Sequence, residues 1–221
     1  MLHPATLTFL TQLKANNDRA WFEAHRPAYQ AAKDDFLALA TRVLADLAAA
    51  DPTLARSDLQ AKKCVFRINR DVRFSANKAP YKNHFGAWFN AGGKAAPTAG
   101  YYLHLEPGAS FVAGGMYMPE PAVLARVRQE IDYDLPAFEA LLHQPEFVRH
   151  FAGLDQDNRL QRPPKGYDAA NPALPHLKLK SFTASHPLPD AVLTAPGLPA
   201  RVGAAFTALR PLVDFLNRAV E

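Results

Sequence analysis

Apolar residues in this chain change their spacing twice along its length, and that change is what most limits the fold. Residues 6–14 and 27–50 carry apolar side chains at every third or fourth position, the repeat of a helix with one buried stripe. In the longer stretch the stripe is Phe36, Leu39, Val43 and Leu47. Pro27 suits a first helical turn, Asn17 or Asp18 is placed to cap a short turn carrying Trp21 and Phe22, and Asp51-Pro52 ends the long helix. The period then falls to two. Residues 65–70 put Phe66 and Ile68 on one face and Val65, Arg67 and Asn69 on the other, and 85–90, 101–106 and 110–117 are similar short runs. A turn signal, Glu106-Pro107-Gly108-Ala109, joins the last two, which implies antiparallel pairing. Helical spacing resumes at 120–132, 135–142 and 146–151. A proline-rich passage covers 162–175, residues 176–184 read as a late strand, and Leu198, Val202, Ala205, Leu209, Leu212 and Leu216 stripe a C-terminal helix. Helices, then strands, then helices predict an α+β fold. It has a central, mainly antiparallel sheet of about five strands, packed by N-terminal and C-terminal helices in a single domain over 1–221.

At 221 residues, 48% of them hydrophobic, the chain can bury a core without staples. Its one cysteine, Cys64, excludes an internal disulfide. No apolar run approaches the ~18 residues that span a bilayer, and the first residues lack the charged and apolar regions of a secretory leader. These features point to a reducing cytoplasm and to no membrane partner.

The formal charge of +4 is unevenly placed. Lys62, Lys63, Arg67, Arg70, Arg73, Lys78 and Lys82 oppose a single acid, Asp71, between residues 62 and 84, whereas elsewhere acids slightly outnumber cations. Such a cluster sets up a local field rather than the general basic coat of many nucleic-acid binders. Arg70 and Arg73 flank Asp71, and a guanidinium held by a carboxylate presents a fixed fork suited to phosphate or carboxylate. Asn69, Ser75, Tyr81, Lys78 and Lys82 add donors in the same loop. The same pairs equally serve to staple a loop.

Tyr102, His104 and Glu106 alternate and so share one face of a strand. A histidine beside a carboxylate is a candidate acid–base pair, its tautomer set by the acid; a half-exposed polar sheet face is the plainer reading. No ligand spacing accompanies the pair, so no metal is assigned. Lys165 lies in a rigid Arg-Pro-Pro-Lys-Gly-Tyr passage at 162–167, and Lys178 and Lys180 alternate on the late strand, where they can extend a basic face. Gly114-Gly115 precedes no phosphate-loop lysine. Cys64 reads as a small buried hydrophobe rather than an activated thiol.

Seven stretches carry a resemblance: residues 16–22 (Asn-Asn-Asp-Arg-Ala-Trp-Phe), 66–75 (Phe-Arg-Ile-Asn-Arg-Asp-Val-Arg-Phe-Ser), 78–82 (Lys-Ala-Pro-Tyr-Lys), 100–102, 114–119, 162–167 and 177–180. On these the chain resembles a family of conserved bacterial and fungal proteins classed as a domain of unknown function. The resemblance implies a single-domain protein and brings no activity, cofactor or catalytic residue with it.

Three functions fit the residues. In the first, Arg67, Arg70, Arg73, Lys78 and Lys82 hold a small phosphorylated or carboxylated ligand, His104 with Glu106 acts as acid or base, and Tyr81 or Tyr102 shapes the pocket. In the second, Phe74, Tyr81, Phe85 and Trp88 stack nucleic-acid bases among the cations. In the third, the basic loop docks an acidic protein. The local charge favours the first.

Overall fold

The 25 residues from Arg26 to Ala50 form the longest helix because nothing interrupts their apolar stripe. Ala32, Phe36, Leu39, Ala40, Val43 and Leu47 are buried along one side, and Pro27 occupies the first turn, where its missing N–H forfeits no helical bond. The computed structural model describes residues 1–221. Helices α1 (Pro4–Ala15), α2 (Arg19–Ala24), α3 (Arg26–Ala50), α4 (Pro52–Ala55) and α5 (Ala61–Cys64) come first. Strands β1 (Phe85–Phe89), β2 (Gly100–Leu105) and β3 (Phe111–Met116) follow, then helices α6 (Pro121–Tyr133), α7 (Leu135–Leu142), α8 (Pro145–His150) and α9 (Leu174–Leu177). Strand β4 (Phe182–Pro187) and helices α10 (Asp190–Leu193) and α11 (Leu198–Arg218) complete the chain. The strands make one antiparallel sheet in the order β1-β2-β3-β4.

The α+β class read from the residue spacing holds, but the sheet has four strands rather than about five. Residues 65–70 form no strand. They make only isolated antiparallel bridges, Val65 with Ala87 and Asn69 with Tyr81. Between those bridges the chain advances four residues on one side and six on the other, so a continuous ladder cannot form. Residues 176–184 are also corrected. Leu174–Leu177 form the helical turn α9, with Pro175 in its first turn, and the strand begins only at Phe182. Lys178 and Lys180 therefore lie in the bend between α9 and β4 and do not alternate on a strand.

The chain divides into two compact units. The first comprises Met1–Lys94, Tyr102–Val112 and Pro187–Ala204. Here α3 packs against α1, α2, α4, α5 and β1. Phe36 of α3 stacks on Phe85 of β1 at 5.4 Å between ring centroids. Asp35 fastens α1 to α3 by accepting hydrogen bonds from the His3 N–H and the Thr6 hydroxyl. Asp18 caps α2 by accepting from the Trp21 N–H, and Asp51 caps α4 by accepting from Thr53 and Leu54.

The second unit comprises Ala95–Tyr101, Ala113–His186 and Ala205–Glu221. Val123, Val127 and Ile131 of α6 and Phe138 of α7 are buried, and Phe138 meets Phe215 of α11 at 5.1 Å. The Gly114-Gly115 pair has a packing role. A Cβ on Gly114 would stand 2.8 Å from Leu209 Cδ1, and a Cβ on Gly115 would strike the Phe182 carbonyl oxygen. Gly115 also has a φ of +117°, a conformation that side chains other than hydrogen strain to adopt.

Gly115→Ala should therefore cost about 1–3 kcal/mol from backbone strain alone, and more from the clash with β4. The expected reading is a Tm lowered by several degrees in a thermal melt. An unchanged Tm would show that β3 and β4 can separate without cost.

Candidate functional site

Residues 66–86 double back as a distorted hairpin in the first unit. Its arms are joined by the Phe66 N–H donating to the Gly86 carbonyl, Lys82 to Ile68, and Arg70 to Pro80. The five residues from 82 to 86 face only three from 66 to 68, so the surplus bends the chain at Asn83 and His84. Before the bend, the Asn17 side chain clamps the Tyr81 peptide: Oδ1 accepts from its N–H at 3.0 Å and Nδ2 donates to its carbonyl at 3.0 Å. The Tyr81 ring stacks on Phe22 at 3.9 Å and is buried. Tyr81 thus packs in the core of this unit.

The loop cations divide into two groups. Arg70 donates from Nη1 to the Ala79 carbonyl at 3.0 Å and from Nη2 to Ser75 Oγ at 3.3 Å. Arg73 forms a two-pronged pair with Asp71, Nε to Oδ1 at 3.0 Å and Nη2 to Oδ2 at 2.7 Å. That hydrogen-bonded pairing holds the exposed Asp71 carboxyl below its ordinary pKa. Lys78 Nζ donates to the carbonyls of Val72 and Arg73. These three, with Ser75, hold the loop's own shape.

Arg67, Lys82 and Lys94 form the second group. Lys82 and Lys94 both lie over the Phe66 ring, their ammonium nitrogens 5.3 Å and 4.9 Å from its centroid, and Lys94 also donates to the Val65 carbonyl at 2.8 Å. Burial first, then the charges of Arg67 and Lys94, push the Lys82 pKa below its ordinary value. None of the three forms an ion pair with a carboxylate. Asn69 is exposed beside them at its bridge to Tyr81.

Tyr102, His104 and Glu106 come together as a hydrogen-bonded row. The Tyr102 hydroxyl is 3.0 Å from His104 Nδ1, and His104 Nε2 is 3.3 Å from Glu106 Oε2. Burial raises Tyr102 to about 12, so it keeps its proton and donates to Nδ1. The remaining imidazole proton then sits on Nε2 and is donated to Glu106. Burial also lowers the His104 pKa, against the opposing pull of Glu106, which keeps the ring neutral. Burial opposes ionisation of Glu106, but hydrogen bonds from His104 and Lys14 outweigh it and hold that carboxyl low. Lys14 Nζ and Asn83 Nδ2 reach Glu106 Oε1 at 3.3 Å and 2.6 Å.

Four members of this group were not singled out by residue type: Lys14, Asn83, His84 and Gly86. The His84 ring lies 4.3 Å from the ring of His104, and Phe111 stacks on His104 at 4.7 Å. Gly86 makes room for the row, since a Cβ there would stand 2.6 Å from the Tyr102 hydroxyl. The alternation of Lys82, His84 and Gly86 was the available sequence signal, because it sets all three opposite the core residue Phe85.

Lys165, Lys178 and Lys180 belong to the second unit. Lys165 is exposed; Lys178 and Lys180 are half-buried. The 162–167 passage there is a turn closed by the Tyr167 N–H on the Pro164 carbonyl, and Arg128 Nη2 donates to the Leu179 carbonyl at 3.0 Å. No helix of the chain is long and apolar enough to cross a membrane.

The fold and this residue group define an α+β protein with a histidine–carboxylate row beside unpaired cations. The conserved hypothetical protein family DUF2461 matches residues 5–215, and the chain belongs to that family. No curated protein and no solved structure matches it.

Two measurements check these assignments. Arg70→Ala removes two half-buried hydrogen bonds and should destabilise by about 1–2 kcal/mol, whereas Arg73→Ala removes an exposed pair worth about 0–1 kcal/mol. Urea unfolding should rank them in that order, and the reverse order would reassign the loop's main tie.

The second concerns pH. Burial first, then His104 and Lys82, push His84 from 6.5 to about 4, with Glu106 opposing. A histidine depressed in this way stabilises the fold above its unfolded pKa, and the contribution is lost as pH falls from 6.5 towards 4. Between those values the Tm of the native protein should fall more steeply than that of His84→Gln. Parallel slopes would show that His84 is not held neutral.

Proposed function

We propose that this protein, as one α+β domain over 1–221 in a reducing cytoplasm, binds a small phosphorylated or carboxylated ligand beside β1 and β2. Arg67, Lys82 and Lys94 hold the anion, and the neighbouring His104–Glu106 pair supplies acid–base chemistry. The observation that carries this reading is the trio around Phe66. Its charges raise one another's energy, Lys82 is partly desolvated, and none of the three forms an ion pair, Asp71 acting on Arg67 only as a neighbouring charge. An anionic ligand would remove that repulsion and gain charge-assisted hydrogen bonds. Arg70, Arg73 and Lys78 contribute by shaping the loop that carries Arg67 and Lys82 at its base.

The row Tyr102–His104–Glu106 supports a proton-transfer role. A neutral imidazole with one nitrogen on a carboxylate and the other on a phenol can pass a proton at either end. Its position next to His84, two residues from Lys82, would put that chemistry beside the held anion.

A second reading has its own observation. Phe74 is 97% exposed at the loop tip with Arg73 packed 5.9 Å from its ring centroid, an arrangement on which a nucleic-acid base can stack.

Thermal-shift and calorimetric titrations with inorganic phosphate, sugar phosphates, dicarboxylates and a short single-stranded oligonucleotide test both. A small anion should raise the Tm of the native protein. Arg67→Ala and Lys82→Met should each weaken its binding by about 10–100-fold, and Arg73→Ala should leave it unchanged. Tighter binding of the oligonucleotide, falling steeply with salt and lost in Phe74→Ala, would replace the first reading by the second. No response to any of these anions would overturn both.

A further inference from the structure

His84, His104 and Glu106 each offer one donor atom, and the three donors lie within 4.8 Å of one another. The closest defined pair, His104 Nε2 and Glu106 Oε2, is 3.3 Å apart. Two ligands held about 2.0–2.1 Å from a tetrahedral ion stand about 3.3 Å apart, so this pair already spans one edge of such a polyhedron. His84 forms no hydrogen bond to a protein group through its ring, and its ring centroid lies 4.3 Å from that of His104.

The surroundings of the three donors resemble the outer ring of contacts that metal ligands need. A ligating histidine usually bonds its other nitrogen to a partner that fixes the ring, and here Tyr102 holds His104 Nδ1 at 3.0 Å. Ligating carboxylates are likewise bonded through the second oxygen, and here Asn83 and Lys14 occupy Glu106 Oε1 and leave Oε2 to the cluster. Gly86 clears the space that Tyr102 needs to do this. Lys14 and Lys82 are the neighbouring charges that oppose a cation; the Lys14 side chain is 63% exposed and able to swing away, and Lys82 acts on His84 without a hydrogen bond to it.

We propose that His84, His104 and Glu106 bind one divalent first-row transition metal ion of mixed nitrogen and oxygen preference, such as Zn2+. His104 binds through Nε2 after its proton moves to Nδ1, where it is donated to the Tyr102 oxygen; the ring keeps one proton and no redox change is involved. Glu106 binds through Oε2. Two histidines and a carboxylate leave coordination positions open, as sites that act on a substrate do. With the ion bound, His104 and Glu106 serve as ligands; without it they remain the acid–base pair described above. The proposal does not rest on the anion reading.

The test uses the full chain, stripped with EDTA and exchanged into chelator-free buffer, then titrated calorimetrically with ZnCl2 and followed by absorption with CoCl2. One saturable site per chain is expected, with a Tm that rises with metal concentration. Glu106→Gln, nearly the same shape as the native side chain, and His84→Ala should each abolish saturable binding. Tyr102→Phe should weaken it by about 10–100-fold, while His150→Ala, remote in sequence, should leave it unchanged. Circular dichroism checks that each variant is folded, and the native titration stands whatever the variants do. Absence of a saturable site in the native chain, or full binding retained in folded Glu106→Gln and His84→Ala, overturns the proposal. Phosphate titration in the presence of EDTA reads the anion site separately, so either reading can fail alone.

Discussion

A mismatch of register makes the site. The arms at 65–69 and 81–87 bond to each other at both ends, but one is two residues longer between the bridges. Because both ends are fixed, the surplus must leave the ladder, and it does so at Asn83 and His84. On a regular strand those neighbours would point to opposite faces. The bend instead turns the Asn83 amide onto Glu106 and the His84 ring onto His104. Bulges re-aim side chains in this way and collect beside functional sites. The clamp of Asn17 on the Tyr81 peptide, with Phe22 stacked on the Tyr81 ring, holds the near end in place.

Electrostatics follow from that geometry. The loop tip is densely charged, yet Asp71 and the local carbonyls already engage Arg70, Arg73 and Lys78. At the base of the loop Lys82 and Lys94 lie over an aromatic ring, and Lys94 also donates to the Val65 carbonyl at 2.8 Å, but none of the cations there has an acid as ion-pair partner. A ring face attracts an ammonium weakly, by about 0.5–1 kcal/mol at an exposed site, which does not offset mutual repulsion and partial burial together. Charge density along the sequence is therefore a poor guide to where an anion would sit. What matters is which charges the fold leaves uncompensated.

The sequence made the helices legible because an apolar stripe is a local property: Phe36, Leu39, Val43 and Leu47 are all buried on α3. Tyr102, His104 and Glu106 were equally legible, since alternation on a strand is enough to align them. Residues 65–70 misled for a physical reason. Their alternation is real, but a strand also needs a partner in step, and the partner's two extra residues lie more than ten positions away. His84 shares the alternation of Lys82 and Gly86, but nothing in its residue type marks the bulge that sets its ring against His104. The Tyr81 hydroxyl suggests a pocket wall, whereas its ring is buried against Phe22.

The stretches that carry the family resemblance separate on physical grounds into scaffold and site. Asn17 and Phe22 act on Tyr81. Gly114 and Gly115 act where β3 meets Leu209 and β4, and no side chain fits there. Arg70, Asp71, Arg73, Ser75 and Lys78 spend their hydrogen bonds within one loop. Among the residues without such a role are Phe66, Arg67, Lys82 and Tyr102, and Phe66 touches two of the other three: it carries Lys82 on its face and meets Tyr102 edge-on at 6.3 Å. Tyr102 in turn orients His104. One exposed phenylalanine thus connects the uncompensated cations to the histidine–carboxylate row through direct contacts, all within the first unit. A side chain of that size, 36% exposed, gains little from burial. Its contacts are with Lys82 and Lys94 on the one hand and with the Tyr102 ring on the other.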